Sequence, residues 1–214
     1  MADQVVPQTM LDSDSTPIAS VPVEITPPGW EAQKEDVQIF DVKKGEEWDH
    51  VERKIKATCP RVTISKIIRI QNLWLWKRYD AHKRMVRENN RSVNEKELFH
   101  GTRANDPALI YEEGFDMRLS AGGKWGRANY FTVSAGYADR FAHRTADGCK
   151  EIFLVKVATG NSCYMQPNSR IRRPPRLTSS TRYDTITGIV GGAHSYMTYD
   201  NDKAYPAYLI KYSM

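Results

Sequence analysis

The chain has 214 residues, 40% hydrophobic and 27% charged, with a formal net charge of +5. That length suits one domain of ordinary size with a real core, and the composition is globular rather than fibrous or fully disordered. The apolar runs are too short to span a bilayer, no charged-then-apolar secretory signal opens the chain, and Cys59, Cys149 and Cys163 have neither CxxC spacing nor the pattern of a disulfide framework. A reducing compartment, nucleus or cytoplasm, is therefore expected, without a cysteine-rich zinc site.

Charge is distributed unevenly. Residues 1–30 carry Asp3, Asp12, Asp14 and Glu24 and no Lys or Arg, leaving 31 basic against 22 acidic residues in the remainder. The same opening segment holds five of the eleven prolines and many Ser and Thr. Such sequence buries too little apolar surface to offset its ordering entropy. Residues 1–32 are read as a flexible acidic tail and 33–214 as the folded domain.

The folded part opens with "GEEWDHVERKIKATCP", where Trp48, Val51 and Ile55 recur at helical spacing and Pro60 is a stop signal. "RVTISKIIRIQN" is rich in β-branched residues and reads as a strand. "LWLWKRYDAHKRMVRENN" returns to helical period through Leu73, Trp76, Tyr79 and Met85. A strand "ELFHGT" follows, then a helix over "DPALIYEEG" ended by Gly114, and a glycine-rich loop "SAGGKWGRA". "NYFTV" reads as a strand, with Ser134 placed to cap a helix through "AGYADRFAH". "EIFLVKVATG" is a strand. After a basic, proline-interrupted loop come "SYMTYD" and "AYPAYLIKYS", which "NDK" would join as a hairpin. The connections are not regular crossover helices, and neither GxGxxG nor GxxxxGK[ST] occurs, which disfavours a doubly wound nucleotide fold.

"LFHGT", then "GRANYF", then "SYMTYDNDKAYPAYLIKY", preceded by "IIRIQNLWLWKRYDAHKRMV", occur in one order. This ordered set resembles the catalytic domain of the poly(ADP-ribose) polymerase superfamily, the diphtheria-toxin-like branch of ADP-ribosyltransferases. The likeness runs from Asp36 to the C-terminus and is nearest the tankyrase-like and macrodomain-linked mono-ADP-ribosyltransferase members. It implies an α+β fold, the PARP catalytic fold, with two mainly antiparallel packed sheets, peripheral helices and no helical regulatory domain. It also implies an enzyme that takes NAD as co-substrate, needs no metal, and breaks the bond between nicotinamide and ribose with oxocarbenium character. In such a site the protein's task is positioning and electrostatic stabilisation.

By this resemblance His100, Tyr130 and Ser195 fill the catalytic triad positions. NAD would be held by His100, Gly101, Thr102, Tyr130, Tyr137 and Phe141. His100 would bond a ribose hydroxyl and Gly101 would offer its backbone to the carboxamide. Tyr130 would pack on the nicotinamide ribose, and Phe141, with Tyr137 and His143 as alternatives, would stack on the nicotinamide ring. Read alone, His100 is a strand-end histidine, and Tyr130 and Phe141 are core aromatics. Two positions depart from the family pattern. Ala138 stands where a hydroxyl usually helps hold the carboxamide, with Ser134 nearby, and Ala128 stands where a glycine is usual, which requires a negative φ there.

Ser195 occupies the place at which polymer-forming members carry Glu. A hydroxyl hydrogen-bonds but is no general base near neutrality. The nearest acids, Asp184, Asp200 and Asp202, read as turn residues. The expectation is transfer of single ADP-ribose units to protein side chains, with acidic segments, or nucleic-acid ends, meeting the basic loop of Arg170, Arg172, Arg173, Arg176 and Arg182. The alternatives are modification of nucleic-acid terminal phosphates and a non-catalytic NAD- or ADP-ribose-binding module.

Overall fold

The computed structural model describes residues 26–88, 91–103 and 105–214. Helix α1 (Glu46–Lys56) follows strand β1 (Val37–Asp41). Its first turn carries Glu46, Glu47 and Asp49 and its last Arg53, Lys54 and Lys56, so side-chain charge opposes the helix dipole at both ends. As the spacing predicts, Trp48, Val51 and Ile55 are its buried residues.

Strand β2 (Thr63–Asn72) runs without a loop into helix α2 (Leu73–Glu88). Asn72 makes this abrupt change work. Its side-chain carbonyl accepts the Leu75 N–H at 3.0 Å, and its amide donates to the Tyr111 and Glu112 carbonyls, both at 2.9 Å. This anchoring sets the rotation of the helix and corrects the apolar face expected from periodicity. Leu75, Tyr79 and Val86 are buried and Trp76 is half-buried, whereas Met85 is 52% exposed. Trp30, which the sequence reading put in the tail, packs 5.9 Å from the Trp76 ring and 6.1 Å from Tyr205. Residues 1–25 of that tail lie outside the described residues.

The remaining elements are β3 (Glu95–His100), α3 (Pro107–Glu113), β4 (Asn129–Thr132), α4 (Ala135–Ala138), β5 (His143–Arg144), β6 (Lys150–Ala158), β7 (Ser162–Tyr164), β8 (Thr185–Val190), β9 (Ala193–Thr198) and β10 (Ala204–Ser213). Asp106 caps α3 by accepting the Ala108 N–H, and Ser134 caps α4 by accepting the Tyr137 N–H. The strands follow one hydrogen-bonded path, β1-β2-β10-β6-β3-β4-β9-β8-β7, with β5 on β6. All neighbours are antiparallel except β7 and β8. The two sheets that the resemblance implies are the two halves of this path, joined at the single pair Phe99–Thr132.

The hairpin expected across "NDK" does not form. β9 pairs with β4 and β8, while β10 crosses to lie between β2 and β6. Asn201–Lys203 instead makes one 3-10 turn, capped by Asp200. The hairpin partner of β9 is β8, a strand inside what read as loop, and Gly191 and Gly192 make its turn at φ 56 and 76. Positive φ at both central residues is the condition for a two-residue hairpin turn matching strand twist. β10 tolerates Pro206 in a central strand because its register with β6 shifts at that point, where a missing N–H costs no ladder bond.

The core is densest along β6, where Ile152, Phe153, Leu154 and Val155 are fully buried or nearly so. Phe153, whose ring lies 6.4 Å from that of Phe115, shares with Leu98, Phe131 and Tyr196 one buried cluster that spans the two halves of the sheet. No helix among the described residues is long and apolar enough to cross a membrane. Phe153→Ala should cost about 3–5 kcal/mol through lost burial and the residual cavity, read as a lowered urea midpoint at unchanged slope.

Candidate active site

The site begins where the two halves of the sheet separate. β3 and β4 pair only at Phe99–Thr132, so the Tyr130 carbonyl has no ladder partner in β3. His100 supplies one, its Nδ1 lying 2.8 Å from that oxygen. A carbonyl only accepts, so Nδ1 carries the proton, and Nε2 of the neutral ring is left as an acceptor. Burial pushes the His100 pKa down, with the Tyr130 carbonyl pulling weakly the other way. The imidazole sits among rings, 5.2 Å from Phe115 and 5.6 Å from Phe131.

Gly101 has a reason of its own to lack a side chain. A Cβ there would stand 2.4 Å from the Phe141 carbonyl oxygen and 2.9 Å from that of Ala138. The same Phe141 carbonyl accepts the Arg103 N–H at 2.8 Å. The helix after β4 therefore rests directly on the backbone after His100, and close approach by protein, before any ligand, requires glycine. Thr102 turns away into a local contact, donating to the Asn105 carbonyl at 2.7 Å.

Tyr130 holds the glycine-rich loop. Its hydroxyl donates to the Gly126 carbonyl at 2.7 Å and accepts the Trp125 N–H at 3.0 Å. Burial raises its pKa, which keeps the phenol protonated for that donation. Gly123 lies against the ring, since a Cβ there would come within 2.7 Å of the Tyr130 hydroxyl. Gly126, at φ 77, lies beneath Ile171, whose carbonyl would be 2.1 Å from an added Cβ. The loop is thus pinned from both sides.

Ser195 lies on β9 opposite Thr132 of β4 and opposite Gly188 of β8. Directly paired residues and those two positions along a strand share a face, so Ser195, Tyr130 and Met197 share one. Over Gly188 lies Trp125, whose ring would meet an added Cβ at 2.1 Å. Trp125 is 1% exposed, with its indole N–H on the Met165 carbonyl at 3.0 Å and its own carbonyl accepting the Tyr199 hydroxyl at 2.6 Å. The Ser195 hydroxyl, 3% exposed, is buried without a hydrogen-bond partner. An unmatched buried hydroxyl is costly, and the Thr198 hydroxyl further along β9 is in the same state.

The three acids nearest Ser195 in the sequence are engaged elsewhere among the described residues. Asp184 is buried and ion-paired to Arg91 and Lys203, which corrects its reading as a turn residue. Asp202 pairs with Arg78, and Asp200 accepts the Asp202 N–H at 3.0 Å.

The aromatic candidates divide. Tyr137 and Phe141 lie 5.4 Å apart, with the Arg103 guanidinium 4.6 Å over Phe141 and Tyr137 against Gly191 of the β8–β9 turn. His143 bonds the Arg103 carbonyl at 3.0 Å. Ala138 is buried in the core, and the Ser134 hydroxyl is engaged as a helix cap. Ala128 is absent from the positive-φ residues, so it meets the condition that replacing glycine imposes. Sequence reasoning missed Trp125, Gly188 and Tyr199. A lone Trp in an otherwise polar, glycine-rich loop is the signal that points to a docked loop.

With this geometry described, comparison with known proteins is direct. The family model of the poly(ADP-ribose) polymerase catalytic domain matches residues 45–187, and the chain belongs to that family. It is 34% identical over 202 residues to a probable poly [ADP-ribose] polymerase of Dictyostelium discoideum, covering 88% of this chain and 57% of that protein. It is 35% identical over 179 residues to the human protein mono-ADP-ribosyltransferase PARP14, covering 78% of this chain and 10% of that protein. With the mouse protein mono-ADP-ribosyltransferase PARP12 it shares 30% identity over 174 residues, 78% of this chain and 24% of that one. The chain therefore spans just over half of the first relative and a small part of the other two.

Two outcomes follow from the site. The native His100 ring resists a proton that the unfolded chain accepts, so its contribution to stability is complete above the ordinary imidazole value of about 6.5 and is lost progressively as pH falls from there through the lower native value. Urea midpoints between pH 7.5 and 5 should fall more steeply for the native chain than for His100→Gln, which keeps a donor but does not titrate. Gly101→Ala should cost about 1–3 kcal/mol by overpacking against Phe141, measured by the same unfolding, and should weaken ligand binding with it.

Proposed function

We propose that this chain is an NAD-dependent mono-ADP-ribosyltransferase that moves one ADP-ribose from NAD to a protein side chain and releases nicotinamide. The observation that carries this reading is the succession His100, Tyr130, Ser195 on the adjacent strands β3, β4 and β9, with an orphaned Ser195 hydroxyl and no carboxylate to replace it. The relatives named as mono-ADP-ribosyltransferases support it. Their family uses NAD as substrate, and the polar groups that the site leaves unused suit a ribose.

The roles follow from the bonds already made. The free Nε2 of His100 accepts from a ribose hydroxyl, while its Nδ1 bond keeps the ring in that tautomer. Gly101 presents backbone to the carboxamide, and Tyr130, with Phe141 and Tyr137, supplies ring faces. Ser195 bonds a ribose hydroxyl without acting as a base. The glycosidic bond breaks with its electron pair leaving on nicotinamide, and the acceptor supplies the pair for the new bond to C1′. An ionised carboxylate acceptor has no proton to lose, so transfer to Asp or Glu side chains needs no general base. Extending a chain through a sugar hydroxyl does, and Ser195 cannot supply it. Since Trp125 lies over Gly188 beside Ser195, the glycine-rich loop has to lift for a ribose to enter.

Acceptors with acidic segments fit the basic stretch of Arg170, Arg172, Arg173, Arg176 and Arg182, none of which forms an ion pair among the described residues. A terminal phosphate of a nucleic acid as acceptor is favoured by that same unpaired charge and is the second reading. Nucleus or cytoplasm accords with three cysteines that are all free.

With labelled NAD and the purified chain plus an acidic acceptor peptide, a denaturing gel should show discrete bands rather than a smear. Replacing His100 and Tyr130 together by Ala should lower labelling by about a hundredfold or more, as expected for loss of positioning groups. Label that survives this double change refutes the site, and a smear refutes single-unit transfer.

A further inference from the structure

A cleft of 340 Å³ lies at the end of β8 and β9 far from their glycine turn, where α2, segment 173–184 and the Tyr199–Lys203 stretch converge. It shares no residue with the site proposed for NAD. Four cations line it, Arg91, Arg173, Arg182 and Lys203, against two carboxylates, Asp184 and Asp200. Both carboxylates are engaged. Asp184 holds Arg91, lies 3.7 Å from the Lys203 ammonium and accepts the Asn161 N–H at 2.9 Å, and Asp200 caps its turn. Arg173 and Arg182 are left without a carboxylate partner among the described residues.

The wall is also built rather than loose. Arg182 donates to the Pro174 carbonyl at 2.9 Å, Arg91 donates to the Arg182 carbonyl at 3.3 Å, and Lys203 donates to the Asp184 carbonyl at 2.9 Å. Burial, with Arg173 and Arg176 close by, pushes the Arg182 pKa down. Arg173 and Arg182 are therefore neighbouring like charges without a carboxylate of their own, while Asp184 serves Arg91 and Lys203. An anion placed between them meets two cations that no carboxylate of the protein neutralises among the described residues.

We propose that this cleft binds a phosphate dianion, free or carried as the monoester of a small molecule. Two unpaired guanidiniums present planar donors that match phosphate oxygens, and a dianion balances the excess of two positive charges among the lining groups. The volume suits a phosphate with a small carrier, and the concave form suits it better than an extended polymer. Tyr199 lines the cleft while its hydroxyl holds the Trp125 carbonyl, so the ligand would sit one residue from the glycine-rich loop. The inference rests on the cleft and not on the transferase reading.

The test uses inorganic phosphate as probe, titrated into the full chain in chloride buffer at constant ionic strength and followed by calorimetry. One-site saturable binding is expected. Arg173→Ala, which removes no bond within the protein, should weaken it about tenfold, the effect of one charge-assisted pair, and the Arg173→Ala/Arg182→Ala pair should abolish it. Arg170→Ala/Arg172→Ala removes the same charge outside the cleft and should leave binding intact, as should His100→Ala, which separates this site from NAD binding. No saturation overturns the proposal, as does equal weakening by both double changes, or intact binding in Arg173→Ala/Arg182→Ala. Ribose 5-phosphate that binds tighter than inorganic phosphate identifies a carried monoester; weaker binding identifies the free ion.

Discussion

The hydrogen bond from His100 Nδ1 to the Tyr130 carbonyl, 2.8 Å long, sits where the two halves of the sheet part and organises what surrounds it. It replaces a ladder bond that diverging strands cannot make, and it decides which imidazole nitrogen stays open. It also fixes the strand that carries Tyr130, whose hydroxyl secures Trp125 and Gly126. From there the contacts continue to Ile171 on one side and Tyr199 on the other. A single polar contact between strands thus reaches the glycine-rich loop, the arginine-rich loop and the end of β9.

Glycine serves this arrangement at two places for one physical reason. At Gly101 the backbone after β4 rests where a Cβ would be, and at Gly188 the Trp125 ring does. Both are close approaches of protein to protein, and they bring the helix after β4 and the glycine-rich loop onto the site. Such contacts explain why a chemically sparse triad can be held firmly.

Charge is partitioned in the same way. The buried carboxylate of Asp184 is used to hold Arg91 and Lys203 and is unavailable for proton transfer, while Ser195 keeps a hydroxyl and no partner. The acidic groups stabilise structure, and the candidate site is left without a base. That division supports the proposal of single-unit transfer to an already ionised acceptor.

Sequence by itself determined α1, β2, β3, α3, β4 and β6, because each combines a short-range period with its own start or stop residue, and it singled out His100, Tyr130 and Ser195 through ordered motifs. It misread what depends on distant partners. The rotation of α2 follows from Asn72 reaching Tyr111 and Glu112, not from hydrophobic spacing. "NDK" resembles a hairpin turn, yet β10 leaves β9 because both its edges are taken by β2 and β6. Only the tertiary structure could show that Gly101 yields to Phe141, that Trp125 roofs Gly188, and that four cations gather at one cleft. Those outcomes depend on which surfaces meet after the chain has crossed itself, and no local pattern records that.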